Sequence, residues 1–306
     1  MIDLRLRTKI SDDGVREIAG RVLGPRDYDL LLTGSGPVRV RMPDNRPLCV
    51  YLPGVLSGVF TDPVYQVLHS LKQFTTSNRG LASGSRRLRR GGPDTPASRT
   101  ETVPIASVIL GSMDPMGQTR YCRLSSWTGR HLPEWETLHP PLREIGRHLA
   151  AHVPDRYAAQ MQRVAAADPS WVVPGTPFTT ITVNNTYPTG VHTDKGDLDE
   201  GFSTIACLRR GTYTGGQLVF PAYRTAVDLK DGDLILMDAH QWHGNVPITC
   251  TCGRELRGPC ETCAAERISV VSYFRTKITN CADPATEEQR AAALSDARHT
   301  AKAGQP

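Results

Sequence analysis

Nowhere in the 306 residues does an apolar run approach the roughly 20 residues that a membrane span requires. The opening segment, Met1 to Lys9, alternates charged and apolar side chains and lacks the apolar centre of a secretory leader. The chain is therefore expected to stay in a reducing cytoplasm. A strong charge of either sign is lacking too, because a net +5 is too slight to mark a polyanion binder unaided. No helix-turn-helix or comparable base-reading unit stands out, which leaves any DNA sequence preference unspecified. What is present is ordinary globular material, 39% hydrophobic and 22% charged, enough for one sizeable core. A single domain over residues 1–306 is expected; its oligomeric state is not legible.

The eight cysteines are unevenly spread. Cys49, Cys122, Cys207 and Cys281 are scattered singly, whereas Cys250, Cys252, Cys260 and Cys263 crowd one short stretch. The basic charge is also local. Arg86, Arg87, Arg89 and Arg90 sit within residues 75–99, a Gly-, Ser- and Pro-rich segment expected to be a mobile basic loop. Apolar spacing from Pro140 to Ala167 predicts two helices broken at Pro154. After these the pattern turns to short strands at Phe178–Val183, Ser203–Leu208, Gln217–Phe220, Ala226–Leu229, Leu234–Asp238 and Arg267–Phe274, with Gly, Asp and Pro turns between them. Strands without intervening helices predict an antiparallel double sheet, so the expected fold is α+β, a double-stranded β-helix (jelly-roll) core with flanking helices. Beyond Asp283 the charged, Ala-rich tail predicts a surface helix.

His192-Thr-Asp194 sets an imidazole and a carboxylate two residues apart, which on extended backbone project to the same side; His243 follows after about five strands. Two imidazoles and one carboxylate are the facial triad of non-haem Fe(II) oxygenases, which leaves positions on the metal open. Alone, a His-x-Asp is a weak signal, since such pairs also line strand ends and turns. Further features follow it. Leu234-Ile-Leu-Met-Asp238 reads as a buried strand ending near His243, and Arg267, Ser269, Val271, Tyr273 and Arg275 share one face of the next strand by period-two alternation. A buried Arg267 requires an anion in bidentate reach, either a bound carboxylate or a carboxylate of the protein itself.

At these residues the chain resembles the TET/J-binding-protein family of nucleic-acid dioxygenases, its J-binding-protein branch above all. The resemblance rests on His192-Thr-Asp-Lys-Gly-Asp-Leu198, Gly201-Phe-Ser203, the run from Gly215 to Asp228, Asp238-Ala-His-Gln-Trp-His-Gly-Asn245 and Arg267-Ile-Ser269. Weaker similarity reaches the run from Thr179 to Val183, Tyr121-Cys-Arg-Leu124 and Asn78-Arg-Gly80. The resemblance implies that His192, Asp194 and His243 hold Fe(II), and that Arg267, with Ser269, clamps the distal carboxylate of 2-oxoglutarate. It also implies that Tyr273 stacks on a base flipped out of DNA, that Asp197 faces the base edge, and that Asn78 and Arg79 line the same site. Arg275 stands where TET enzymes carry a His, as in J-binding proteins, which puts cytosine specificity in doubt.

The long connection between His243 and Arg267 carries an inserted module at residues 249–266. Cys250-Thr-Cys252 and Cys260-Glu-Thr-Cys263 suit a closed structural Zn(II) site, or else are incidental thiols. Its Arg254 and Arg257 are candidates for phosphate contact. The expected activity is oxidation by O2 and 2-oxoglutarate of the 5-methyl group of a pyrimidine, 5-methylcytosine or thymine, in DNA. The same chemistry on a free nucleotide, a protein or a small metabolite is the alternative, against which the Arg86–Arg90 cluster argues.

Overall fold

The alternating and apolar runs fold into strands where the sequence places them, with shifts of at most two residues at the ends. A computed structural model describes residues 1–34, 36–76, 79–83, 86–89, 97–101 and 104–303. The chain divides into two compact units: Met1–Val108 with Thr182–Lys195 and Ser203–Val271, and Ile109–Ile181 with Gly196–Phe202 and Ser272–Pro306. The helical insertion and the tail gather a core of their own, which is the physical reason for the division.

The larger sheet runs, in order, Ile2–Arg5, Val38–Arg41, Pro47–Leu52, Leu234–Met237, Ser203–Arg210, Glu266–Tyr273, Thr180–Asn185, Ser107–Met113 and Arg123–Leu124. Leu234–Met237 is buried at all four residues because it lies between two partners, pairing antiparallel with Pro47–Leu52 and with Ser203–Arg210. A smaller sheet orders Gly244–Asn245, Leu218–Phe220, Thr225–Val227 and Leu30–Leu32. Apolar faces of the two sheets share one core: Val40, Leu48, Tyr51, Ile205 and Met237 come from the larger, and Leu32, Leu218, Phe220 and Val227 from the smaller. Two sheets closed over one core are the jelly roll. It is mixed and not purely antiparallel, since Ile2–Arg5 runs parallel to Val38–Arg41 and Leu30–Leu32 parallel to Thr225–Val227.

The basic segment departs from its expectation. Arg86–Arg89 is a strand paired antiparallel with Ala97–Glu101, so that Arg86 registers with Glu101 and Arg87 with Thr100. A ladder of main-chain bonds favours a hairpin over a loop. Asn78 and Arg90 lie outside the described residues.

In the second unit the helices are Leu132–Thr137, His139–His152 and Pro154–Ala166, broken at Pro154 as predicted, and Pro284–Ala303 forms the tail helix. Cys122 and Cys281, read as isolated in sequence, form a disulfide across a separation of 159 residues. Buried Glu287 accepts from the Cys122 and Ala282 backbone N–H groups, both at 2.8 Å, and so ties the tail helix to this bridge.

Candidate metal and co-substrate site

His192 and His243 face each other across an isolated antiparallel bridge, each N–H donating to the other's carbonyl at 2.9 Å. This exchange brings the two ring centroids to 4.4 Å. In each ring Nδ1 bonds a nearby carbonyl, Gly190 O at 2.8 Å and Gln241 O at 2.9 Å, which leaves Nε2 for a metal. Gly190 is required here by space, because a Cβ would lie 2.5 Å from Gly20 O. Asp194 is fixed by its N–H on Ala239 O at 3.0 Å, and its carboxylate oxygens lie 3.5 Å from His192 Nε2 and 3.9 Å from His243 Nε2. Burial opposes ionisation of Asp194, but the hydrogen bond and charge of His192 outweigh it and bring the carboxyl down to about 2. Burial, then the His192 charge, pushes His243 down to about 4. An ionised carboxylate and a neutral imidazole are the forms that donate lone pairs to a cation. Two nitrogens and one oxygen, with ligand atoms all within 4.8 Å of one another, suit Fe(II).

Arg267 is 6% exposed on the strand Glu266–Tyr273. Its Nη1 donates to Ser269 Oγ, two residues on along the same face, and its Nε has no partner among the described residues. A buried guanidinium with an unpaired donor fits a bound carboxylate, the chemistry of a 2-oxoglutarate clamp. Its backbone is pinned at Thr186, which gives N–H to Arg267 O at 2.8 Å and takes Arg267 N–H on Oγ1 at 3.0 Å. Thr186 holds a left-handed φ of 49°, costly for a β-branched residue, at the corner from which the chain departs toward His192.

Arg79 joins this unit's polar chain: Nε donates to Ser107 Oγ at 2.9 Å, Ser107 Oγ donates to Asn184 Oδ1 at 2.7 Å, and Tyr187 OH donates to the same oxygen at 3.2 Å. The Arg79 charge acts on His192, Asp194 and Tyr187 alike. Ser107, Asn184, Thr186 and Tyr187 were missed by the sequence reading. Their signal was the polar run Asn184-Asn-Thr-Tyr187 closing an otherwise apolar strand pattern.

Three expected base-facing residues lie in the second unit. Asp197 and Arg275 are brought together by main-chain bridging, and Thr276 Oγ1 donates to Asp197 O at 2.9 Å. Arg275 Nε and Nη2 both donate to Asp114 Oδ1, at 2.7 and 2.6 Å, so two of its donors are engaged by a protein carboxylate. Tyr273 is buried, 7% exposed.

The four clustered cysteines converge. Sγ of Cys252 lies 2.8 Å from Cys250, 3.5 Å from Cys260 and 3.8 Å from Cys263. A tetrahedral zinc with Zn–S of about 2.3 Å sets sulfurs roughly 3.8 Å apart. Main-chain turns wrap each pair, with left-handed Gly253 after the first and Ala264 after the second, and the Cys263 backbone N–H, with the Cys263 thiol, draws the Cys260 thiol down to about 6. Arg254 is exposed, and its Nη2 donates to Cys260 Sγ at 3.3 Å and Thr262 Oγ1 at 3.1 Å.

Jelly roll, facial triad and buried arginine together define a class, the oxygenases that use Fe(II) and 2-oxoglutarate. Within it the chain belongs to the Tet_JBP family, the oxygenase domain of the 2OGFeDO superfamily, which matches residues 113–276. Over 170 residues it is 33% identical to thymine dioxygenase JBP1 of Trypanosoma brucei brucei, a match covering 55% of this chain and 18% of that protein. Over 160 residues it is 34% identical to thymine dioxygenase JBP1 of Leishmania braziliensis, covering 51% and 18%. The chain thus matches less than a fifth of the length of these curated relatives. In fold it is similar to NgTET1 in complex with 5mC DNA, with a TM-score of 0.53 at 11% identity over 88% of this chain and 93% of that one. Among the described residues no helix is long and apolar enough to cross a membrane.

Proposed function

We propose that this chain is a dioxygenase that hydroxylates the 5-methyl group of a pyrimidine, 5-methylcytosine or thymine, in DNA. The observation that carries this reading is the company of a two-histidine, one-carboxylate cage and a buried arginine whose Nε lacks a protein partner among the described residues. Support for the substrate comes from relatives named thymine dioxygenase and from likeness in fold to a protein solved with 5mC DNA. When bound, Fe(II) with 2-oxoglutarate and O2 supplies the oxidising power to convert a methyl C–H into a hydroxymethyl. His192, Asp194 and His243 would hold the metal, and their carbonyl-bonded Nδ1 atoms keep each imidazole Nε2 aimed at it. Arg267 and Ser269 would hold the distal carboxylate, with Arg79 lining the metal side. A base inside a duplex must leave the stack to be reached, and Tyr273 and Asp197 are this chain's residues for receiving it. Arg275, already paired with Asp114, would brace that region without reading the base.

Nucleoside mass spectrometry after incubation with 5-methylcytosine-containing and thymine-containing DNA tests the proposal. A 5-hydroxymethyl pyrimidine that forms only with Fe(II) and 2-oxoglutarate is the expected result. Its absence from both DNAs, with 2-oxoglutarate still consumed, would move the substrate to free nucleotides, proteins or metabolites.

The same reading gives Cys250, Cys252, Cys260 and Cys263 a structural Zn(II), since four thiolates leave no open position for chemistry. We place the protein in the reducing interior of a cell, where free thiolates persist best, and there the Cys122–Cys281 bridge would depend on its burial to resist reduction.

A further inference from the structure

We infer that Tyr213 is a third co-substrate ligand, its phenol donating to the carboxylate held by Arg267 and Ser269. The inference rests on the reading of Arg267 as the 2-oxoglutarate clamp and adds a residue to it. Tyr213 opens the strand Tyr213–Gly215 and is 6% exposed, yet its OH has no hydrogen-bond partner among the described residues. Buried polar atoms are almost always paired, so an orphan phenol calls for an explanation. Arg267 Nε is orphaned in the same way.

The chain between them explains how the two approach. Gly215 and Gly216 both adopt left-handed φ, 82° and 80°, and a Cβ on Gly215 would collide with Pro247 O at 1.7 Å. A Cβ on Gly216 would lie 3.2 Å from Arg267 Cδ and 3.5 Å from its Nε, so the end of the Tyr213 strand passes directly over the guanidinium stem. The ring is held independently of its hydroxyl: the Arg209 guanidinium lies 4.1 Å from the ring centroid, and Ile248 and Ala265 pack in the same cluster. Burial raises the phenol, and Arg267 is the foremost charge pulling it the other way, as expected of near neighbours.

The donors then define the ligand. Arg267 Nε gives one N–H, Tyr213 one O–H, and Ser269, whose oxygen already accepts from Arg267 Nη1, has its own O–H to give. Three groups that each have an N–H or O–H to give suit an acceptor-only anion, and a carboxylate has about four lone-pair sites to receive them.

Tyr213→Phe removes one oxygen and leaves the ring, its stacking on Arg209 and the packing. We expect the melting temperature without co-substrate to be unchanged or higher, because an unpaired buried hydroxyl is removed. Calorimetric titration of 2-oxoglutarate into the anaerobic Fe(II) protein is expected to show affinity weakened about tenfold or more, the scale of a hydrogen bond to a charged group. The rise in melting temperature caused by 2-oxoglutarate should shrink in step. Affinity within about twofold of wild type would overturn the inference, and so would a clear fall in the melting temperature of the free variant, which would mean that the hydroxyl is paired within the fold. An Arg267→Lys arm separates the two readings. If it binds as wild type does, or if wild type binds no 2-oxoglutarate, the clamp itself fails; if Arg267→Lys is weakened and Tyr213→Phe is not, only Tyr213 is wrong.

Discussion

A side chain's position in this site is set mainly by the main chain beneath it. His192 and His243 need no metal to meet, since their own N–H and C=O groups hold them together. Asp194 is different, because 33% of its side chain remains exposed and its carboxylate lies beside the two imidazoles. Asp194→Ala should therefore leave the fold intact while removing one of three ligands, and 2-oxoglutarate decarboxylation should fall to background. Circular dichroism and succinate release measured on the same sample check this; turnover near wild type would remove Asp194 from the metal. The triad was legible because His-x-Asp places both ligands on one side of an extended chain. Tyr213 was not, because the approach of its strand to Arg267 depends on two left-handed glycines and a crossing at Pro247 that no spacing rule encodes.

Among the elements, the strand Glu266–Tyr273 has two tasks in succession. Arg267 is buried on one face with its Nε unpaired among the described residues, and Glu266, on the opposite face, is buried among donors: Tyr65 OH at 2.6 Å, Asn185 Nδ2 at 2.6 Å and His69 Nδ1 at 2.9 Å. The helix Asp62–Ser70 is thereby pinned to the clamp strand. The cysteine module acts on a second element, for Cys250 registers with Tyr213 and both sit in one cluster with Ile248, Leu256 and Cys260. Elemental analysis should find about one zinc per chain in addition to iron, and stripping it should lower the melting temperature and loosen 2-oxoglutarate binding together. Active protein with reduced cysteines and no zinc would dismiss the site. Strand positions were readable from period-two alternation and the helix break from Pro154. The hairpin at Arg86–Arg89 was not, because Gly- and Arg-rich composition reads as loop until its partner Ala97–Glu101 is found.

For the whole molecule, the charge that matters is concentrated in one place. A net +5 is modest, but Arg86, Arg87, Arg89 and Arg90 lie within five residues. Replacing all four with Ser should weaken DNA binding at every sequence and flatten the log–log salt dependence by up to about 3.6, at roughly 0.9 for each phosphate no longer neutralised. Fluorescence anisotropy across a salt series checks it; an unchanged slope would take this segment off the DNA. Long-range partners were the part of the molecule that the sequence hid. Nothing local in Cys122 announces Cys281, and nothing in Arg275 announces Asp114, because each pair is made by the path of the chain and not by a repeat along it.

The reciprocal bonds between His192 and His243 also decide how the protein competes for its metal. A cage already closed by backbone does not select an ion by refolding around it, and nitrogen–oxygen donor sets bind Ni²⁺, Cu²⁺ and Zn²⁺ more tightly than Fe²⁺. Iron thus owes its place here to cellular supply and not to preference. At equal free concentrations copper or nickel is therefore expected to occupy the three ligands ahead of iron.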